Sequence, residues 1–302
     1  MMRWFVGLTA CTLTLSLPAE AQPTKDCPLR VAARLDMQTT PDGRVTIPVQ
    51  VEGHDYRLMV DTGGYISTLS AQAVKQEGYQ PQLSENQSRG MGTSLLDHHV
   101  TVKDFAVGRS HGKNLQFYVD DLSDPFTDGT LAPHILAAYD VDFDFAHDKL
   151  NLIFSDHCPG AAAYWTRSNV AVVPIEIRSN TQIRLPVAID GKQIMALVDT
   201  GAHTSFISRR AVGRFLDIDE KDPALKSRGK VRVNGMDGEI ANYPFQTLTF
   251  GNVTVNHPHI EIVENKVWNE NELVLGIGIL RQLHLYIAYK ERNMYITPAL
   301  QN

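Results

Sequence analysis

The 302-residue sequence predicts a mainly β protein: two β-barrel lobes built on one plan, related by a pseudo-twofold axis, with a cleft between them. Three observations carry this. First, "RVTIPVQVEGHDYRLMVDTG", from Arg44, and "QIRLPVAIDGKQIMALVDTG", from Gln182, align without a gap at a separation of 138 residues. Second, both stretches alternate apolar and polar residues, reverse at Glu52-Gly53 or Asp190-Gly191, and run back to an aspartate, as a β-hairpin does. Third, the later parts of the halves also correspond. "SRGMGTS" (88–94) answers "RVNGMDGE" (232–239), and "VKDFAVG" (102–108) answers "FQTLTFG" (245–251). "GTLAPHILAAYDVDFDFAHDKLNLIF" (129–154) answers "LVLGIGILRQLHLYIAYKERNMYIT" (273–297), with small loop insertions shifting the offset.

Taken in order, residues 1–21 read as a signal peptide: Arg3, then an uncharged apolar run, then Ala19-Glu20-Ala21. The run is too short for a comfortable membrane span. Cleavage after Ala21 and export to a periplasmic or secreted location are expected. "LTAC" at 8–11 offers the alternative of a lipoprotein anchored through Cys11. Residues 22–42 read as an N-terminal arm or pro-segment, 43–155 as the first lobe, 156–169 as a linker and 170–302 as the second lobe.

Apolar content of 43% and charged content of 21% suit a globular protein. The net charge of −6 is unchanged by loss of the leader, and no basic patch points to nucleic acid. Cleavage leaves Cys27 and Cys158. In an oxidising compartment they can form one disulfide, whose long loop makes it worth up to ~4–5 kcal/mol; the alternative is two free thiols. After each aspartate, Ser70 and Ser208 are placed to N-cap short helices, "AQAVKQE", ended by Gly78, and "RRAVGRFLD".

The chemistry sits where each hairpin ends. A single Asp-Thr-Gly is ordinary turn chemistry. Two copies at matched positions of matched halves, each fed by an apolar strand, predict that Asp61 and Asp199 meet at the twofold axis, partly buried. Carboxylates a few Å apart cannot easily both ionise, so they share a proton. One then acts as base and the other as acid toward a water attacking a carbonyl, as in the aspartic-protease dyad.

At "VDTGG", "VDTGA" and the "LVLG" of 273–276 the chain resembles the aspartic proteases, and most closely their retroviral, retropepsin-like branch. The resemblance covers roughly 43–155 and 170–298. Both aspartates lie on one chain, so it looks like a fused tandem expected to work as a monomer. The resemblance implies a catalytic pair Asp61 and Asp199. It implies that Thr62 and Thr200 cross-link the two loops beneath the dyad. Gly63 and Gly201 would let backbone approach the reacting atoms, and Gly276 would lie behind the second loop. The hairpins around Met91-Gly92 and Gly235-Met236 would be flaps over an extended peptide or protein substrate. No cofactor and no metal are implied.

The first half departs at two positions. Ala132 stands where the second half has Gly276, and Gly64 where the family usually has Ala or Ser. The Ala132 methyl is either absorbed or displaces Asp61. The function expected is thus an exported aspartic endopeptidase, with a weakly active or inactive peptide-binding module of the same fold as the alternative.

Other signals are weaker. "DHH" (97–99) and "HPH" (257–259) lack Cys or Glu at a zinc spacing. "DLSDPFTDG" (121–129) lacks the EF-hand spacing. There is no G-x-S-x-G and no Walker-type phosphate loop.

Overall fold

A computed structural model describes residues 28–89, 95–121, 124–166, 169–178, 181–233, 236–264 and 272–299. The protein is mainly β, with few and short helices among these residues.

Each lobe starts from the expected hairpin. Val45–Val51 pairs antiparallel with His54–Val60, and Ile183–Ile189 with Lys192–Val198. Both reverse through two left-handed residues: Glu52 (φ 49°) and Gly53 (φ 85°), Asp190 (φ 48°) and Gly191 (φ 80°). Two residues at positive φ give the turn whose twist matches the strands.

From there the lobes follow the same path. In the first, the sheet runs from His54–Val60 to Gly129–Leu131, Thr68–Ser70, Ser110–Asp120, Leu95–Val107 and Gln82–Arg89. In the second it runs from Lys192–Val198 to Leu273–Leu275, Ser205–Ser208, Ile260–Glu264, Met236–Asn242 and Lys226–Val233. Each sheet also curls back on its first strand, through Gln50↔Ala106 in one lobe and Ala188↔Thr249 in the other. The sequence explains one difference. The long strands 95–107 and 110–120 of the first lobe are each split in the second, at Tyr243–Gln246 and at His257–His259. Pro244 and Pro258 lie in those breaks, and proline cannot donate to a ladder.

The short helices fall where their caps predict. Ser70 Oγ accepts from Ala73 N–H at 3.1 Å to start Ala71–Gln76, and Ser208 Oγ from Ala211 N–H at 3.0 Å to start Arg209–Ala211. The second continues as a π-helical turn, Val212–Leu216.

A third sheet joins the halves, in the order 31–36, 149–153, 140–144, 283–288, 293–298, 171–174. The lobes meet at Phe143↔Leu285. The order reads the same from either edge, with Val31–Asp36 answering Ala171–Pro174. The stretch 22–42, read from sequence as an arm, therefore holds an edge strand of this sheet. Its alternation is only six residues long, and its partner, Lys149–Ile153, lies more than a hundred residues away.

Val141, Phe143, Leu285 and Ile287 turn one face of this sheet to the main core. Asp140, Asp142, His284 and Tyr286 turn to the other, which residues 155–166 cover. His157 Nε2 lies 2.6 Å from Asp140 Oδ2, and His284 Nε2 2.7 Å from Asp142 Oδ1. Asn151 also donates to Asp142, at 2.8 Å, and Trp165 stacks on His284 at 4.0 Å. Burial disfavours the charged form of His157, but the Cys158 carbonyl and the Asp140 carboxylate outweigh it and raise its pKa. A histidine raised on folding adds stability that is full below its unfolded value near ~6.5 and is lost as pH rises through the folded value. The melting temperature of wild type should therefore exceed that of His157→Gln by more at pH 5.5 than at pH 8.5. A pH-independent gap would mean that His157 does not titrate against Asp140.

Candidate active site

The hairpin strands His54–Val60 and Lys192–Val198 deliver Asp61 and Asp199 to the same place. Asp61 N–H donates to Leu131 O at 3.1 Å, and Asp199 N–H to Leu275 O at 3.0 Å. The apolar strands 129–131 and 273–275 thus hold both residues in extended geometry at the ends of fully buried segments. Each carboxylate also accepts from its own loop: Gly63 N–H to Asp61 Oδ1 at 2.9 Å, Gly201 and Ala202 N–H to Asp199 Oδ1 at 3.0 Å each.

The two loops are locked beneath the carboxylates by four bonds. Thr62 N–H donates to Thr200 Oγ1 (3.1 Å), and Thr200 N–H to Thr62 Oγ1 (3.0 Å). Thr62 Oγ1 donates to Val198 O (2.8 Å), and Thr200 Oγ1 to Val60 O (2.7 Å). Both threonines are fully buried. Each hydroxyl accepts and donates, so its one proton and one lone pair are both used. Thr200→Val keeps the shape but strands Thr62 N–H and Val60 C=O. At about 1–3 kcal/mol for each stranded group, stability should fall by about 2–6 kcal/mol in urea unfolding. A loss below ~1 kcal/mol would mean the lock is not formed in solution.

The glycines are required by approach. A Cβ on Gly63 would lie 2.2 Å from Asp199 Cγ, and one on Gly201 2.5 Å from Asp61 Cγ. Each loop therefore touches the opposite aspartate. Burial raises both carboxyl pKa values, and Asp199 is raised further by the Asp61 charge. On Asp61 the hydrogen bond with Asp199, the loop N–H groups and the charge of Arg44 work against burial. The pair therefore shares one proton held above the ordinary carboxyl range.

Ala132 is absorbed. Its N–H donates to Ser67 Oγ at 2.9 Å, as Gly276 N–H does to Ser205 Oγ at 2.9 Å. Asp61 keeps its bonds with Leu131 O and Gly63 N–H, the counterparts of those Asp199 makes with Leu275 O and Gly201 N–H. The two loops meet this position differently. In the second lobe a Cβ on Gly276 would fall 2.4 Å from Thr204 O and 2.8 Å from Ala202 O. In the first lobe Ala132 and Gly64 leave ordinary room for each other: a Cβ on Gly64 would sit 3.4 Å from Ala132 Cβ and would meet Asp61 Oδ2 first, at 2.8 Å. The backbone differs accordingly: Ile277 N–H donates to Ala202 O at 2.8 Å, whereas its counterpart, Pro133, has no N–H.

Sequence reasoning missed three contributors. Ser67 and Ser205 are buried and tether the strands behind the loops; their matched positions in the repeat are the signal that would have found them. Gln182 reaches across to donate from its side chain to Gly63 O. At the matching position Arg44 is held by Asp42 and, at 2.7 Å, by Asp124. Of the flap residues, Met91, Gly92 and Gly235 lie outside the described residues. Met236 opens the strand 236–242, and the pairs Arg89↔Leu95 and Val233↔Met236 bracket both hairpin tips. Cys27 also lies outside; Cys158 is disulfide-bonded. Among the described residues no group of His, Cys, Asp and Glu gathers as a metal would need.

Comparison with known proteins agrees with this geometry. Residues 47–135 match the "Aspartyl protease" family model, and residues 185–282 match the "gag-polyprotein putative aspartyl protease" family model. Each match spans one Asp-Thr-Gly loop and the strand behind it. No curated protein matches the chain.

Proposed function

Because the chain belongs to the retropepsin-like aspartyl proteases, with two such lobes in tandem, we propose that it is an exported endopeptidase whose Asp61/Asp199 dyad activates water against a peptide bond. The observation that carries this is the buried carboxylate pair, held by symmetric bonds on a rigid four-bond lock. Asp61, ionised, takes a proton from a water as its oxygen attacks the carbonyl carbon. Asp199 gives its proton to the carbonyl oxygen, which yields a neutral tetrahedral diol. In the second step Asp61 returns its proton to the leaving nitrogen, the C–N bond breaks, and Asp199 recovers a proton from the collapsing hydroxyl. The sum is one water consumed and one peptide bond cleaved, with no cofactor or metal. The flaps around Met91-Gly92 and Gly235-Met236 close over the substrate, and both aspartates lie on one chain, so the monomer is the working unit.

Export rests on the leader and its Ala19-Glu20-Ala21 site. The mature disulfide is assigned to Cys27–Cys158. Cys158 is disulfide-bonded, and Cys27 is the other cysteine that cleavage of the leader leaves. Against a retained binding function without turnover stands the position of Asp61, which keeps its Gly63 bond beside Ala132. Incubation of the mature protein with a diverse peptide library from pH 3 to 8 tests the reading. Cleavage that Asp199→Asn abolishes is expected. Intact peptides at every pH, from folded protein, would overturn it.

A further inference from the structure

A row of side chains crosses each lobe's sheet on the face that carries the aspartate. In the first lobe it is Met59, Thr130, Thr68, Tyr118 and His99, neighbours in successive strand pairings. Asp61 follows Met59 by two extended residues and so shares its face. In the second lobe the matching row is Leu197, Val274, Phe206, Glu261 and Asn242.

The two rows have the same geometry and different chemistry. Leu197, Val274 and Ala202 form an apolar cluster of their own, with half-buried Phe206 packed on it. The matching residues of the first lobe are Met59, Thr130, Gly64 and Thr68. Thr68 is 6% exposed, and its Oγ1 is buried with no hydrogen-bond partner; the far ends of the two rows do not differ in this way, since His99 Nδ1 and its counterpart Asn242 Oδ1 are both in the same state. Tyr118, between Thr68 and His99, shares a 2.8 Å hydrogen bond with Ser84, whereas its counterpart, Glu261, pairs with Arg228 at 3.2 Å. An unpaired buried hydroxyl is costly unless something else completes the bond.

The axis that exchanges the lobes also exchanges the two directions of an extended chain lying across the dyad. The rows therefore meet substrate residues equally far from the scissile bond, on opposite sides. We propose that the substrate is read asymmetrically at these matched positions. The side chain facing the first lobe is a hydroxyl or amide that bonds Thr68, and the one facing the second lobe is apolar and packs on Phe206. The inference rests on one part of the proposed function, that a peptide lies extended across the dyad face. A site built to hydrogen-bond rejects a partner lacking the group, and an apolar site gains little from a polar one.

Two full-length mature proteins separate the outcomes: wild type, scored by cleavage, and Asp199→Asn, scored by capture without cleavage. Each is offered a peptide library randomised on both sides of the cut, with Thr68→Val or Phe206→Thr added. The expected result is a polar preference on one side and an apolar preference on the other. Thr68→Val should shift only the first, and Phe206→Thr only the second, by at least about tenfold in the ratio of kcat/KM or of enrichment. The same preference on both sides, or preferences that neither substitution moves, would overturn the inference. Asymmetric capture without cleavage by wild type would discard the peptidase reading and leave this one standing. Failure of folded Asp199→Asn to capture any peptide would discard it.

Discussion

Asp61→Asn or Asp199→Asn is expected to lower kcat/KM by about 10²–10⁴, the range that a positioned acid or base supplies, while the fold survives. The amide cannot accept the water proton at position 61, nor deliver a proton to the carbonyl oxygen at position 199. Near wild-type turnover in either variant would remove the dyad from the mechanism. The same substitution has a stability signature that is independent of any substrate. Burial, then the Asp61 charge, raises the Asp199 pKa above its unfolded value. A raised carboxyl favours folding below the unfolded value near ~3.9 and loses that contribution as pH rises through the folded value. At pH 7 and above wild type carries the cost of the buried pair, and Asp199→Asn removes it. The variant should therefore melt higher than wild type at pH 7.5, and the gap should close toward pH 3.5. Melting curves of both proteins over that range check this, and a gap that does not change with pH would mean the two carboxyls do not interact. The activity of wild type should fall as pH rises through the same value.

Gly276→Ala is expected to cost about 3 kcal/mol or more and most of the activity, although Ala132 already occupies the matching position. The added Cβ would lie 2.4 Å from Thr204 O and 2.8 Å from Ala202 O. Both are backbone atoms and cannot rotate away, which puts the change at the severe end of overpacking. The Ala202 carbonyl is also fixed by Ile277 N–H at 2.8 Å. Relief would require moving the loop that orients Asp199. In the first lobe Pro133 stands in place of Ile277 and has no N–H to fix the matching carbonyl. Ala132→Gly, by contrast, should cost only about 1 kcal/mol, through one lost methyl and a looser unfolded chain. Urea midpoints of the two variants provide the comparison. Equal effects would mean that the two loops are interchangeable.

Much of this molecule is written in local sequence. The two hairpins follow from strict alternation and a two-residue turn at positive φ, and the caps at Ser70 and Ser208 follow from residue type at a strand end. The meeting of Asp61 and Asp199 follows from the repeat, because equal halves pack about a twofold axis. What the sequence left open depends on atoms far apart along the chain. Whether Ala132 fits is decided by the loop backbone that faces it a few Å away, a gap that no spacing rule measures. Gln182 bonds to Gly63 across the lobe boundary, and nothing in its own stretch marks it. Val31–Asp36 becomes an edge strand because Lys149–Ile153 offers it an unpaired ladder. The row through Thr68 and the row through Phe206 exist only once five strands stand in register. Local alternation and turn chemistry act over a few residues, so the sequence by itself determined the repeated hairpins and the paired aspartates. Close packing and hydrogen-bond satisfaction act through space, so only the tertiary structure decided how the two halves came to differ.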